Sequence, residues 1–169
     1  MIVRLTEKLG EKIGIKPKTA AALHDNHFAD WTGHLFLANR LQLIIFTDTA
    51  TLYSLLIPGK GIKTGELLLK NACAMMAEIM NADGLQHGYE NHIQPCLDEV
   101  IYAKTLNRSV TGSMNDLIYQ SKMYLAHFDL SLFEIISRLN DNPLSYLDYN
   151  NPRNAMRQLM QQMDDDCSK

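Results

Sequence analysis

Cysteine is scarce in this chain: three residues in 169, with no two at the C-x-x-C spacing of redox or zinc motifs. So few cysteines, and an odd number of them, favour a reducing compartment over a disulfide framework. Long apolar runs are missing as well, since no stretch approaches the ~18 residues of a membrane span. Charged Arg4, Glu7 and Lys8 stand where a signal peptide needs an apolar core. We therefore expect a cytoplasmic protein with no membrane partner.

An excess of positive charge is also missing. Sixteen Lys and Arg residues face nineteen Asp and Glu residues, which gives a formal net charge of −3. No global field therefore draws the protein to nucleic acid, and any phosphate binding needs a local patch. The chain contains no H-E-x-x-H or G-x-S-x-G motif, and the glycines and lysines of 59–65 fail the P-loop spacing. We predict no cofactor, and the sequence favours a protein that is not an enzyme.

What the chain does contain is typical of a globular domain, with 46% hydrophobic and 21% charged residues. A chain of this size buries roughly 70% of its surface. Short runs of period two between 31 and 57, joined by connections such as Asn39-Arg40, predict a three-stranded antiparallel meander. Residues 99–104 predict a fourth strand, and residues 2–5 a further short one. The expected fold is α+β, with a small, mostly antiparallel sheet packed against helices.

Helices are predicted before and after the fourth strand along the sequence. Thr64 is placed to cap a methionine-rich helix over 65–82, for which we favour core burial over the alternative of a homo-oligomer interface. Ser113 and Asp116 resemble a capping box that begins a helix over 113–127. Further helical patterns follow over 130–139 and from Asn151-Pro152 onward. We expect an α+β core domain over 1–128 and a C-terminal helical extension over 129–169, packed on the same domain.

Several stretches of this sequence resemble a bacterial family described only as a domain of unknown function, related to plasmid ORF-3-like proteins. The resemblance covers roughly residues 1–127. It is carried by residues 3–9, the strand pair that contains Trp31, Leu35, Asn39 and Arg40, the pair Phe46-Thr47, residues 51–54, and above all Lys104-Thr105 with Asn107-Arg108-Ser109-Val110 and Gly112-Ser113-Met114-Asn115-Asp116. It implies a stand-alone bacterial protein and brings no established activity, cofactor or catalytic residue.

The loop over 104–116 is the candidate binding site. A helix N-terminus offers unpaired backbone N–H groups and a partial positive charge, which together attract anions. Charge would come from Lys104 and Arg108. Hydroxyl groups would come from Ser109, Thr111 and Ser113, and Gly112 would let a ligand approach the backbone closely. A rigid connector is favoured over an anion site for the loop itself, because capped helices outnumber ligand sites. In that connector Ser113 only caps the helix and Arg108 pairs with an acid such as Asp116. We expect a binding module for a phosphate-bearing ligand or nucleic acid.

The same segment leaves an enzymatic alternative open. Asn115 and Asp116 form a possible polar or acidic site, and with a histidine brought near by folding they would suit a small hydrolase. Histidines His24, His27 and His34 have a spacing compatible with a metal site, but surface positions are the favoured interpretation and no metal is predicted. For four aromatic residues on predicted strands, core burial is favoured over a platform that stacks on bases: Trp31, Phe36, Tyr53 and Tyr102.

Overall fold

The computed structural model describes residues 1–17, 19, 21–105 and 108–167. Five strands form one sheet in the order β4-β3-β2-β1-β5. Their bounds are Ile2–Leu5 for β1, Asp30–Ala38 for β2, Leu41–Asp48 for β3, Ser54–Pro58 for β4 and Ile101–Lys104 for β5.

The sheet is mixed rather than mostly antiparallel. Strand β1 lies between β2 and β5 and is parallel to both, with Val3 opposite Trp31 on one side and Tyr102 on the other. Strands β2, β3 and β4 pair antiparallel. The prediction of a mostly antiparallel sheet built on a 31–57 meander is therefore wrong. Its error lies in the short segment over 2–5, whose parallel partners are distant in sequence and leave no local pattern.

Six α-helices accompany the sheet in the described part of the chain. They are α1 over Glu7–Ile13, α2 over Gly65–Ala82, α3 over Gln86–Gly88, α4 over Arg108–His127, α5 over Leu132–Asp141 and α6 over Pro152–Cys167. A π-helical turn over Tyr89–Ile93 and 3-10 turns over Gln94–Leu97 and Ser145–Leu147 complete the regular structure. None of these described helices is both long enough and apolar enough to cross a bilayer.

Helix α2 has the predicted bounds, because its signals are local. The Thr64 side chain accepts a hydrogen bond from the Leu67 backbone N–H at 3.2 Å. Met76 and Met80 are buried in the core, which confirms the favoured interpretation of the methionines. Polar residues dominate the exposed side of the helix: Glu66, Lys70, Asn71, Glu78 and Asn81.

The helices cover both faces of the sheet. A Cβ added to Gly33 would meet Leu9 of α1 at 2.7 Å, and one added to Gly65 of α2 would meet the Tyr102 hydroxyl at 2.4 Å. Gly33 and Tyr102 lie on the same face by the strand register. Helix α4 contacts β2 and β3, and α5 contacts the edge strand β4. Residues 43–48 of β3 are consequently buried on both sides.

Helix α4 begins at Arg108 and not at residue 113, so the predicted start of the helix over 113–127 is wrong. Ser113 lies in the second turn and does not cap the helix. Val110 and Met114 are both buried, so the core extends the helix N-terminally through a segment whose polar composition suggested a loop. The capping box occurs instead at the start of α5, between Ser131 and Glu134.

The chain after α4 packs against the sheet and the other helices. Helix α5 contacts β4, α4 and α6. Asn151 caps α6 by accepting a hydrogen bond from the Asn154 backbone N–H at 2.8 Å. The division of the chain into a core over 1–128 and an extension over 129–169 stays a prediction.

Candidate functional site

A cavity of about 440 Å³ opens where the parallel strands β1 and β5 end. Crevices at the carboxyl ends of parallel strands are frequent binding sites, because loops diverge there. Helix α1, the segment after it and the end of β5 form its walls. The lining residues are Leu5, Thr6, Glu7, Gly10, Glu11, Ile15, Lys16, Pro17, Lys104 and Thr105.

The buried Arg4 guanidinium holds the end of β5, which forms one wall of this cavity. It forms a bidentate ion pair with Asp30, from Nε at 2.7 Å and from Nη2 at 2.6 Å. Its remaining donors reach the carbonyl oxygens of Ala21, Ala22 and Lys104 at 3.0, 3.0 and 3.4 Å. All five N–H donors of the side chain are thus used. Arg4 therefore holds the backbone of Lys104, Ala21 and Ala22 in fixed positions.

Charges of both signs line the cavity. Lys16 and Lys104 are exposed cations, and Glu7 and Glu11 belong to α1. The Lys104 backbone N–H donates to the Thr19 carbonyl at 3.1 Å, so the end of β5 and the segment after α1 are joined by a hydrogen bond. The arrangement suits a ligand with an anionic group for the lysines and hydrogen-bond donors for the glutamates.

Two further lysines lie near His34 of β2. Burial lowers the pKa of the His34 side chain, and the charges of Lys8 and Lys122 lower that pKa further. Lys8 comes from α1 and Lys122 from α4, so cations from both helices lie near this strand. The two lysines therefore disfavour the protonated form of His34.

The structure places the predicted anion-site residues on two elements. Lys104 lines the cavity, and Arg108 is the first residue of α4. Ser109, Thr111, Gly112 and Ser113 lie along the first two turns of α4 rather than in a loop before it. Asn107, which belongs to the motif that carries the family resemblance, lies outside the described residues. Anion binding by this set stays a prediction.

The hydrolase alternative also stays a prediction. Asn115 and Asp116 are exposed on α4, and among the described residues Asp116 forms no hydrogen bond with a histidine. The histidines have other contacts: His92 pairs with Asp164 at 2.9 Å and stacks on Phe28. Nowhere in the described ranges do three or more His, Cys, Asp or Glu side chains come together to hold a metal ion.

The predicted aromatic residues are mostly inside. Trp31, Phe36 and Tyr53 are buried and Tyr102 is half-buried, which confirms core packing for the first three. Sequence reasoning missed Glu7, Glu11, Lys16 and Thr105 as cavity residues. Each of these residues lies just after β1 or β5, or in or just after the helix that follows β1. These positions indicate a shared site only once β1 and β5 are known to be parallel neighbours.

Comparison with known proteins gives one match. The family described as Domain of unknown function (DUF6933) matches residues 2–155, which extends beyond the predicted limit of 127 and includes α5. No curated protein and no solved structure matches the chain.

Proposed function

Since the chain belongs to the family of the domain of unknown function DUF6933, we propose its function from the site itself: a non-enzymatic binding module for a small anionic, phosphate-bearing ligand. The single observation that carries the proposal is the cavity of about 440 Å³ at the ends of β1 and β5, with Lys16 and Lys104 in its wall. Its volume lies in the range of small-molecule sites. We further propose a bacterial, cytoplasmic protein related to plasmid ORF-3-like proteins.

The lining favours binding over catalysis. It contains neither histidine nor cysteine, the side chains that most often transfer protons or act as nucleophiles near neutral pH. Two lysines and two glutamates suit an anion that also carries hydroxyl or amine donors, as a nucleotide or a sugar phosphate does. Arg108 at the start of α4 adds a further cation after the end of β5.

A thermal-shift panel tests the proposal. Inorganic phosphate, nucleotides, sugar phosphates and divalent metals are added to the wild type and to Lys104→Ala, Lys16→Ala and Arg108→Ala. A ligand at 100 times its Kd stabilises the folded state by about 2.7 kcal/mol, which raises the Tm. We expect a salt-sensitive rise with a phosphate compound that Lys104→Ala abolishes.

Lys70→Ala is the matched control, because Lys70 is an exposed cation on α2, away from the cavity lining. The variant should keep the full ligand-dependent rise. A rise that is the same in wild type and Lys104→Ala would refute this site, as would the lack of a rise with every anion. A rise with metal alone would also refute the anion site and would indicate a metal site at the histidines.

A further inference from the structure

The outward face of α4 carries a regular stripe of accessible residues. Arg108, Gly112, Asn115, Tyr119 and Lys122 are separated by four, three, four and three positions, which places them on one side of a helix. All five are exposed. The opposite side of α4 packs into the core through Val110, Met114, Leu117 and Ile118. We call these five exposed residues the α4 stripe.

The ends of the stripe are cationic, and an aromatic residue stands next to one end. Arg108 and Lys122 are fourteen residues apart, which corresponds to ~21 Å along the helix. Tyr119 lies between them with 65% of its surface exposed, far more than a tyrosine that fills a core. An aromatic ring exposed between two cations suits a polymer with alternating phosphates and flat apolar groups.

Two more tyrosines lie in the segment between α5 and α6. The 3-10 turn over Ser145–Leu147 contacts α4, and Tyr146 in this turn is 38% exposed. Tyr149 follows with 78% exposure and a φ of 63°, beside Asp148 with a φ of 51°. Left-handed backbone at two successive residues other than glycine costs energy, so the surrounding fold holds this turn in place. The turn leaves the Tyr149 ring in solvent.

Gly112 leaves one position of the α4 stripe without a side chain. A Cβ added there would meet nothing within 4 Å, so no neighbouring side chain of the described residues requires a glycine. Glycine inside an exposed helix is less stable than alanine by roughly 0.5–1 kcal/mol. Its absence of a side chain lets another molecule approach the helix backbone closely between Arg108 and Asn115, and Asn115 offers both a donor and an acceptor.

From these observations we propose that the α4 stripe, together with the Ser145–Leu147 turn that contacts α4, binds single-stranded nucleic acid. Arg108 and Lys122 contact phosphates, and Tyr119 stacks on an unpaired base. A duplex hides its base faces, so an exposed tyrosine favours the single strand. Asp116 is an exposed acid on α4 and weakens the attraction. The proposal goes beyond the cavity, since Tyr119 does not line it.

Fluorescence anisotropy with labelled twelve-nucleotide dT, dA and U strands, and with a twelve-base-pair duplex, tests the proposal. We expect the single strands to bind more tightly than the duplex. Tyr119→Ala should weaken single-strand binding about tenfold or more, and Tyr119→Phe should retain it because the ring still stacks. Comparison of the dT and U strands shows whether DNA or RNA is preferred.

Salt dependence separates the phosphate contacts. Two engaged cations predict a slope of about −1.4 in log K against log salt concentration, at about 0.7 for each phosphate of a single strand. Arg108→Ala or Lys122→Ala should reduce the slope by about 0.7. Asp116→Asn should strengthen binding, because a repelling charge is removed. Lys70→Ala on the other side of the sheet is the charge-matched control and should change neither slope nor affinity.

Several results would overturn the inference. They are the absence of binding to every strand at low salt, equal binding of Tyr119→Ala and wild type while thermal unfolding shows both folded, or binding to the duplex alone. A sedimentation coefficient that falls in Tyr119→Ala would assign the face to a second copy of the chain. Failure of the cavity proposal would be distinguishable from failure of this one. Phosphate compounds would then not raise the Tm, while Tyr119-dependent strand binding would persist.

Discussion

Asp48 is a fully buried carboxyl group at the end of β3. Its Oδ2 accepts hydrogen bonds from the Thr51 backbone N–H and hydroxyl, both at 2.7 Å. Its Oδ1 has no hydrogen-bond partner among the described residues. Burial raises the pKa of Asp48 to about 7, and the neighbouring charge of Asp30 raises it as well. The folded protein therefore holds a proton that the unfolded chain releases near pH 4.

This difference predicts a stability that falls as the pH rises. The folded state is favoured by proton binding below pH 4, and that contribution is lost as the pH rises to about 7, by an amount on the order of 4 kcal/mol. The substitution Asp48→Asn keeps an acceptor for Thr51 and cannot ionise. Urea unfolding of both proteins between pH 4 and pH 8 should show a smaller decrease for the Asp48→Asn variant than for the wild type. Identical pH profiles would contradict the raised pKa.

Arg4 is the second residue on which the fold depends. It is 1% exposed and its partner Asp30 is 3% exposed, so removal of the guanidinium leaves a buried carboxylate without its countercharge. Arg4→Met should lower the free energy of unfolding by about 3–5 kcal/mol. Lys8→Met removes an exposed cation from α1 and should change stability by less than about 0.5 kcal/mol. Equal effects of the two substitutions on unfolding by guanidinium chloride would refute this role of Arg4.

At the scale of elements, strand β4 is the sheet edge that α5 covers. The Asn140 amide of α5 accepts from the Ser54 backbone N–H at 2.8 Å and donates to the Ser54 carbonyl at 3.0 Å. One side chain thus pairs with the edge of the sheet as a further strand would. Both residues are fully buried, so solvent cannot replace these bonds.

Asn140→Leu tests this contact between helix and strand. It retains similar volume and leaves two buried backbone groups of Ser54 unpaired, which should cost about 2–6 kcal/mol. Asn71→Leu on the exposed side of α2 is the control and should be nearly neutral. The midpoint of urea unfolding measures both. A small loss in Asn140→Leu would mean that the amide contributes little to the edge.

Two glycines with opposite roles give a further prediction for the helices. Gly112 has an open surface position in α4, so Gly112→Ala should raise the free energy of unfolding by about 0.5–1 kcal/mol. Gly84 follows α2 with a φ of 71°, so Gly84→Ala should destabilise. Thermal unfolding gives the sign of each change. A loss of stability in Gly112→Ala would show that the glycine is required for folding.

At the scale of the whole molecule, α6 connects elements that are distant in sequence. Arg153 forms an ion pair with Asp83 at 3.0 Å and pairs with Asp141. Asp83, directly after α2, also accepts a 2.6 Å hydrogen bond from the Tyr53 hydroxyl. Met160 packs on Gly88, where a Cβ would meet its sulfur at 2.1 Å. Helix α6 therefore packs against the body of the molecule and contacts it through polar and apolar groups.

Two probes test whether the C-terminal segment unfolds together with the rest. Trp31, the single tryptophan, is buried in the sheet, so its fluorescence reports the sheet, while far-ultraviolet circular dichroism reports the helices. Met160→Ala should cost about 2–5 kcal/mol and shift both transitions equally. Gln161→Ala is the exposed control. A shift in the helical signal alone would show that residues 129–169 unfold as a separate unit.

The predictions made from sequence succeeded where the signal was local. Thr64 and the apolar run after it fixed the start of α2, and Asn151-Pro152 fixed the start of α6. The start of α4 was missed because Gly112 and Ser113 are typical of loops. Val110 and Met114 at helical spacing were the signal that could have placed it.

The sequence by itself determined where most helices and strands lie, with the start of α4 an exception, since caps, turns and hydrophobic periodicity act over a few residues. Only the tertiary structure decided that β1 lies between β2 and β5, and hence that Lys104 and Lys16 share a cavity. Parallel pairing joins residues as distant as Ile2 and Ile101, and its energy comes from a core to which all elements contribute. No local pattern of residues records that pairing.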